Sequence, residues 1–162
     1  MPTFDVVSTV NMQEVDNAVN QARKELNTRY DFRNSKSKID WEKEEITIHA
    51  DDEMKLKAIT EILNQKMTKR GISPRSLDYK ESEKASGDAV RQKVIIKQGI
   101  STDDGRKIVK LIKELGIKKV QAQIQDEQVR VSGPKRDDLQ AVIQMLKEKV
   151  TTLDLQFVNF RD

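Results

Sequence analysis

"SKIDWEKEEITIHADDEMKLKAITEILNQKM" (residues 37–67) and "VQAQIQDEQVRVSGPKRDDLQAVIQMLKEKV" (residues 120–150) align without a gap at a shift of 83 residues, with Leu56 falling on Leu139. Their apolar positions agree: Ile46 meets Val129, Ile48 meets Val131, Leu63 meets Leu146 and Met67 meets Val150. The surface positions differ. In both, apolar residues alternate and then shift to a spacing of three and four, which marks a hairpin followed by an amphipathic helix. A repeated core pattern on an unrelated surface points to a duplicated structural unit.

The flanking sequence completes each copy. "TFDVVSTV" alternates Phe4, Val6 and Val10 on one face, as a strand does. Asn11 then caps a helix carrying Val15, Val19, Ala22 and Leu26, with Glu14 as its capping-box partner. Asp51 to Glu53 open the helix after the first hairpin, Gly71 ends it, and "PRSLDY" supplies a short strand. In the second copy "AVRQKVIIKQ" is a strand, and residues 101–115 form a helix with Ile108, Leu111, Ile112 and Leu115 on one side. The hairpin turns at Asp126-Glu127, a helix runs from Pro134 to Val150 with Pro134 at its first position, and "LDLQF" is the last strand. The order is βαββαβ twice. The expected fold is α+β: two ferredoxin-like units, each an antiparallel four-stranded sheet with two helices on one face. Residues 1–80 form the first unit, 81–89 a linker rich in Lys, Glu, Ser and Gly, and 90–162 the second. Exchange of terminal strands between the units stays open at this level.

Composition removes several function classes. Hydrophobic residues make up 36% of the chain and charged residues 35%, so the core depends on patterning. Cysteine is absent, which excludes a disulfide framework and thiolate metal sites. No apolar run reaches the roughly 20 residues needed to span a bilayer. The start lacks the basic region of a secretory signal, so a cytoplasmic protein is expected. The net charge of +3 lies wholly in the second half of the chain. That is too mild for a dedicated DNA-binding module.

No catalytic constellation emerges. His49, the single histidine, alternates away from Ile46 and Ile48 and reads as a sheet-surface residue. Asp103-Asp104 and Asp137-Asp138 occupy first helical turns, where the helix dipole accounts for them. Walker and dinucleotide glycine patterns are missing. The expectation is a non-enzyme with no catalytic residue, no metal and no cofactor.

Binding surfaces are better represented. A ferredoxin-like sheet leaves one face free of helices. On the second hairpin that face carries Gln121, Gln123, Gln125, Gln128, Arg130 and Ser132, and the strand "AVRQKVIIKQ" is expected to add Arg91, Lys93 and Lys97 beside it. RNA-recognition domains share this topology but stack bases on aromatics of the central strands. "EEITIHA" and "EQVRVSG" contain none. Arg106, Lys107, Lys110 and Lys113 form a basic helical face, and "SGPKRDD" places Lys135 and Arg136 at a helix start.

The chain's seven aromatics are concentrated before residue 80 and in the last six positions, and two of them precede arginine: Phe32-Arg33 and Phe160-Arg161. Arginine forms bidentate contacts with phosphate and guanine and stacks on flat rings. Phe32 could stack a base, with Lys36 and Lys38 meeting phosphate charge. The competing reading makes Phe32 and Phe160 fill one core between the units, with Arg33 and Arg161 paired to Asp31 or Asp162. A ligand held at that seam satisfies both.

"PTFDVVSTV", "TRYDFRNS", "EKASGDAVRQKVIIKQGI", "VQAQIQDEQVRVSGPKRDDLQAVI" and "LQFVNFRD" resemble the YajQ family, in the family's own order and over essentially the whole chain. The resemblance implies two ferredoxin-like units and a cytoplasmic bacterial protein. It further implies nucleotide binding, with RNA or tRNA association or a cyclic-di-GMP effector role through a transcription regulator as the finer options. The family's basic and Phe-Arg motifs fall on Phe32, Arg33, Arg91, Lys97, Arg130, Arg136 and Arg161. With Lys36, these are the expected nucleotide-binding residues. The expected function is therefore non-enzymatic nucleotide binding. The alternative is a protein-interaction adaptor acting on a transcription regulator or the RNA machinery.

Overall fold

A computed structural model describes residues 1–162. The strands are β1 (Thr3–Val7), β2 (Lys38–Glu42), β3 (Glu45–Ala50), β4 (Leu77–Tyr79), β5 (Glu83–Lys84), β6 (Val90–Ile96), β7 (Gln121–Gln125), β8 (Gln128–Ser132) and β9 (Gln156–Arg161). The helices are α1 (Met12–Thr28), α2 (Glu53–Lys69), α3 (Thr102–Leu115) and α4 (Arg136–Lys149).

Local chemistry sets the helix ends. The Asn11 side chain accepts from the Gln13 and Glu14 backbone N–H groups, Asp52 accepts from Lys55, and Ser101 accepts from Asp104. Gly116 closes α3 in the left-handed conformation, φ 72°. α4 starts two residues later than the sequence suggests. The Gly133 N–H donates to the Pro2 carbonyl at 3.1 Å, so Gly133 and Pro134 are held as a connection and Arg136 is the first helical residue. Leu115, expected on the apolar stripe of α3, is exposed at the helix end.

Two antiparallel sheets result, in the orders β2-β3-β6-β4 and β7-β8-β1-β9. They do not follow chain order. A division into 1–80 and 90–162 would place β1 in the first sheet and β6 in the second. The ladders place each in the other. β1 pairs with β8 and β9, and β6 pairs with β3, β4 and β5. The compact bodies are accordingly Val10–Lys97 and Met1–Thr9 joined with Gln98–Asp162. Each is a ferredoxin-like sheet in which the strand preceding the first helix has been exchanged. The segment 81–89 is also more than a connection. Glu83 and Lys84 pair with Arg91 and Val90, and Ala85 N–H donates to the Ala89 carbonyl, so it continues a hairpin with β6.

In the Val10–Lys97 body, Val15, Val19 and Ala22 of α1 and Ile59, Leu63 and Met67 of α2 pack with Ile46, Ile48 and Val94. In the other, Ile108 and Ile112 of α3 and Leu139, Val142 and Leu146 of α4 pack with Phe4, Val6, Val129 and Val131. One face of each sheet is thus committed to its two helices. No helix is long and apolar enough to cross a membrane.

Candidate functional site

In the second body, the residues of β1 that point away from the helices meet partners on both sides. Thr3 lies between Ser132 and Arg161, with Gln121 next across β8. Asp5 lies between Arg130 and Val158. Asp5 is only 1% exposed. A buried carboxylate requires charge or hydrogen-bond compensation. Arg130 provides it with Nε at 2.9 Å and Nη2 at 3.4 Å, and Asn159 Nδ2 adds a bond at 2.9 Å. The Arg130 hydrogen bond, helped by Asn159 and the nearby Arg161 charge, holds the Asp5 carboxyl below its ordinary pKa. Asp5 in turn raises that of Arg130.

Asn159 sits in a bulge. The pairing of β1 with β9 slips between Thr3–Arg161 and Asp5–Val158, leaving two residues of β9 opposite Phe4. Asn159 takes the left-handed conformation there, φ 56°, which asparagine tolerates better than most residues. The extra residue resets the alternation beyond it. Phe160 turns toward Phe4, with ring centroids 5.6 Å apart and planes 23° from parallel, while Arg161 stays on the face of Thr3.

The result is a hollow of about 320 Å³ lined by Pro2, Thr3, Arg136, Leu139, Phe160 and Arg161, among others. Phe160 remains 57% exposed, although Phe4 supports its ring. Arg136 ion-pairs with Asp162, so an anion is already seated beside it. α4 begins at this hollow. Its N-cap, Lys135, offers no side-chain acceptor to the first-turn N–H groups, and the carboxylates of Asp137 and Asp138 supply the negative charge at that end of the helix.

The eight residues singled out in sequence divide between the bodies. Arg136 and Arg161 converge on the hollow, and Arg130 shares a sheet face with Arg161. Phe32, Arg33, Lys36, Arg91 and Lys97 belong to Val10–Lys97. Arg91 and Lys93 do not extend the glutamine-rich face, because β6 pairs in the other sheet. There Arg91 binds Glu83 at 3.0 Å and Lys93 binds Glu45 at 3.4 Å. Lys97 follows β6, its N–H donating to the Ser76 carbonyl. Arg33 and Lys36 are exposed, next to a 3₁₀ turn over Tyr30–Phe32.

The reading of Phe32 and Phe160 as fillers of a single core is corrected. The 3₁₀ turn drops Phe32 onto the core of its own body, where it is 7% exposed and carries Lys55 Nζ 4.8 Å from its ring centroid. Phe160 stacks on Phe4 in the other. The proposed ion pairs differ too. Asp31 binds Arg29 at 2.8 Å, and Asp162 binds Arg136. Sequence reasoning missed Thr3, Asp5 and Asn159. The available signal was a carboxylate on the outward side of an apolar strand, which needs a cation opposite it.

No group of three or more His, Cys, Asp or Glu side chains is placed to hold a metal ion. A family described as nucleotide-binding protein YajQ-like matches residues 2–161. A nucleotide-binding protein of Trichlorobacter lovleyi is 56% identical over 162 residues, covering 100% of both chains. One from Geotalea daltonii is 56% identical over 161 residues, 99% of each. One from Heliobacterium modesticaldum is 55% identical over 159 residues, 98% of this chain and 96% of the relative.

Proposed function

We propose, from the premise that this chain belongs to the YajQ-like family of nucleotide-binding proteins, that it binds a nucleotide without turnover in the hollow around Phe160. The observation that carries this reading is one exposed aromatic ring lining the same hollow as two arginines. A base stacks on Phe160, which Phe4 holds in place so that little ring freedom is lost on binding. Arg136 and Arg161 meet phosphate oxygens as bidentate donors. A phosphate entering at Arg136 exchanges with the Asp162 carboxylate, one anion for another. The volume suits a base with part of its sugar-phosphate. Cyclic-di-GMP and RNA or tRNA are the finer ligand options, with a transcription regulator downstream in the first case.

Calorimetry with GTP, ATP, cyclic-di-GMP and tRNA at two salt concentrations tests the reading. Saturable binding that Phe160→Ala weakens by about 1–3 kcal/mol supports base stacking. A steep salt slope assigns the ligand to the polyanions. Absence of saturable binding to all four overturns the reading. So does binding that Phe160→Ala and Arg161→Ala leave unchanged.

A further inference from the structure

A second groove adjoins the first. It encloses about 530 Å³ and is lined by Thr3, Ile112, Lys113, Val120, Gln121, Ala122, Gln123, Arg130 and Ser132. Thr3 lines both hollows. The row Gln121–Ser132–Thr3–Arg161 runs directly across four strands and connects them. Three strand spacings make that row about 14 Å long, more than a single base and its phosphate would cover.

The polar groups of the groove are uncommitted. The side chains of Thr3, Lys113, Gln121, Gln123 and Ser132 make no hydrogen bond or ion pair. The sheet face of the other body behaves differently: Lys38 and His49 contact Asp40, Arg91 contacts Glu83 and Lys93 contacts Glu45. Those side chains already have acidic partners, as Arg130 has Asp5. Lys113 has none.

Resting on the nucleotide reading above, we propose that the ligand is a single strand of at least two consecutive nucleotides, and that this groove holds the second. The first base stacks on Phe160. The chain crosses Thr3 and Ser132, whose hydroxyls can donate to the linking phosphate. The second base lies on the helix-free face beside Ser132, and its edge meets the carboxamides of Gln121 and Gln123, which carry both donors and acceptors. Lys113 meets the following phosphate as a point charge. The groove contains no aromatic side chain. Its base is therefore held by edge hydrogen bonds, and discrimination between bases is stronger at the second position than at the stacked first.

The test is a length series of 5′-phosphorylated oligoribonucleotides, from one to four nucleotides, titrated calorimetrically into the full chain. Affinity is expected to rise about tenfold or more from one nucleotide to two and much less thereafter. The Lys113→Ala/Gln123→Ala double variant is expected to return the dinucleotide to mononucleotide affinity while mononucleotide affinity and thermal midpoint stay unchanged. Equal affinity along the series, with mononucleotide binding intact, overturns the second subsite and leaves the first standing. A double variant that weakens mononucleotide and dinucleotide alike also overturns it. If neither mononucleotide nor oligomer binds, the underlying nucleotide reading fails and this inference fails with it.

Discussion

Asn159 donates from Nδ2 to the Asp5 carboxylate at 2.9 Å while its own backbone is left-handed, φ 56°. One residue therefore supplies both the bond and the turn of the bulge. Substitution separates them. Asn159→Gly keeps the conformation and loses the bond, while Asn159→Ala loses both. Urea denaturation should show a loss of about 1 kcal/mol for glycine and about 2 kcal/mol for alanine. Equal losses would mean the bulge conformation carries no strain that asparagine relieves.

Asp5 gives a pH signature with a definite sign. Its folded-state pKa lies below the ordinary value of 3.8. Its contribution to stability is therefore complete above that value and is lost as the pH falls through the folded pKa. Asp5→Asn should lower the thermal midpoint at neutral pH, where Arg130 loses its ionised partner. The gap between variant and parent should narrow below pH 3.8. A gap constant with pH would assign the Asp5 effect to packing.

The two Phe-Arg motifs should respond oppositely. Phe32→Ala removes a buried ring and should cost about 3 kcal/mol of stability without changing the intrinsic affinity of the folded protein for nucleotide. Phe160→Ala removes a ring more than half exposed. It should cost about 1 kcal/mol or less in stability and weaken nucleotide binding. Parallel denaturation and calorimetry check both.

Gly99 connects β6 to α3 at φ 81°, its N–H donating to the Ser8 carbonyl at 2.7 Å. A Cβ there would come within 2.9 Å of the Glu127 Cβ. Gly99→Ala combines left-handed strain with that close approach and should destabilise by about 2 kcal/mol in urea. Gly71, also at positive φ but with nothing within 4 Å of a Cβ, isolates the conformational part, and Gly71→Ala should cost about 1 kcal/mol.

The repeat was legible because hairpin and helix periodicities are local, and both copies retain the apolar positions from Ile46 to Met67 and from Val129 to Val150. The exchange of β1 and β6 was not. Each alternates with period two and offers two or more apolar residues to a helix-covered face, so either strand satisfies either sheet by pattern. Pairing partners are a tertiary property. The arginines at 136 and 161 could be singled out, but their convergence could not. It depends on one inserted residue in β9, without which Arg161 would fall on the helix side. Asp5 was hidden by a different cause: its burial comes from Arg130, 125 residues away in sequence.

The exchanged strands also bear on the order in which a ribosome delivers this fold. All the strands of the Val10–Lys97 body are consecutive in synthesis, and it can close while α3 is still being made. β1 emerges before any of them, yet its neighbours β8 and β9 lie at residues 128–161. Throughout that interval Phe4 and Val6, wholly buried in the finished protein, have no core to enter. The nascent chain carries an unpaired apolar strand until β8 and β9 have been made, and the two strand edges are open to other chains over that interval.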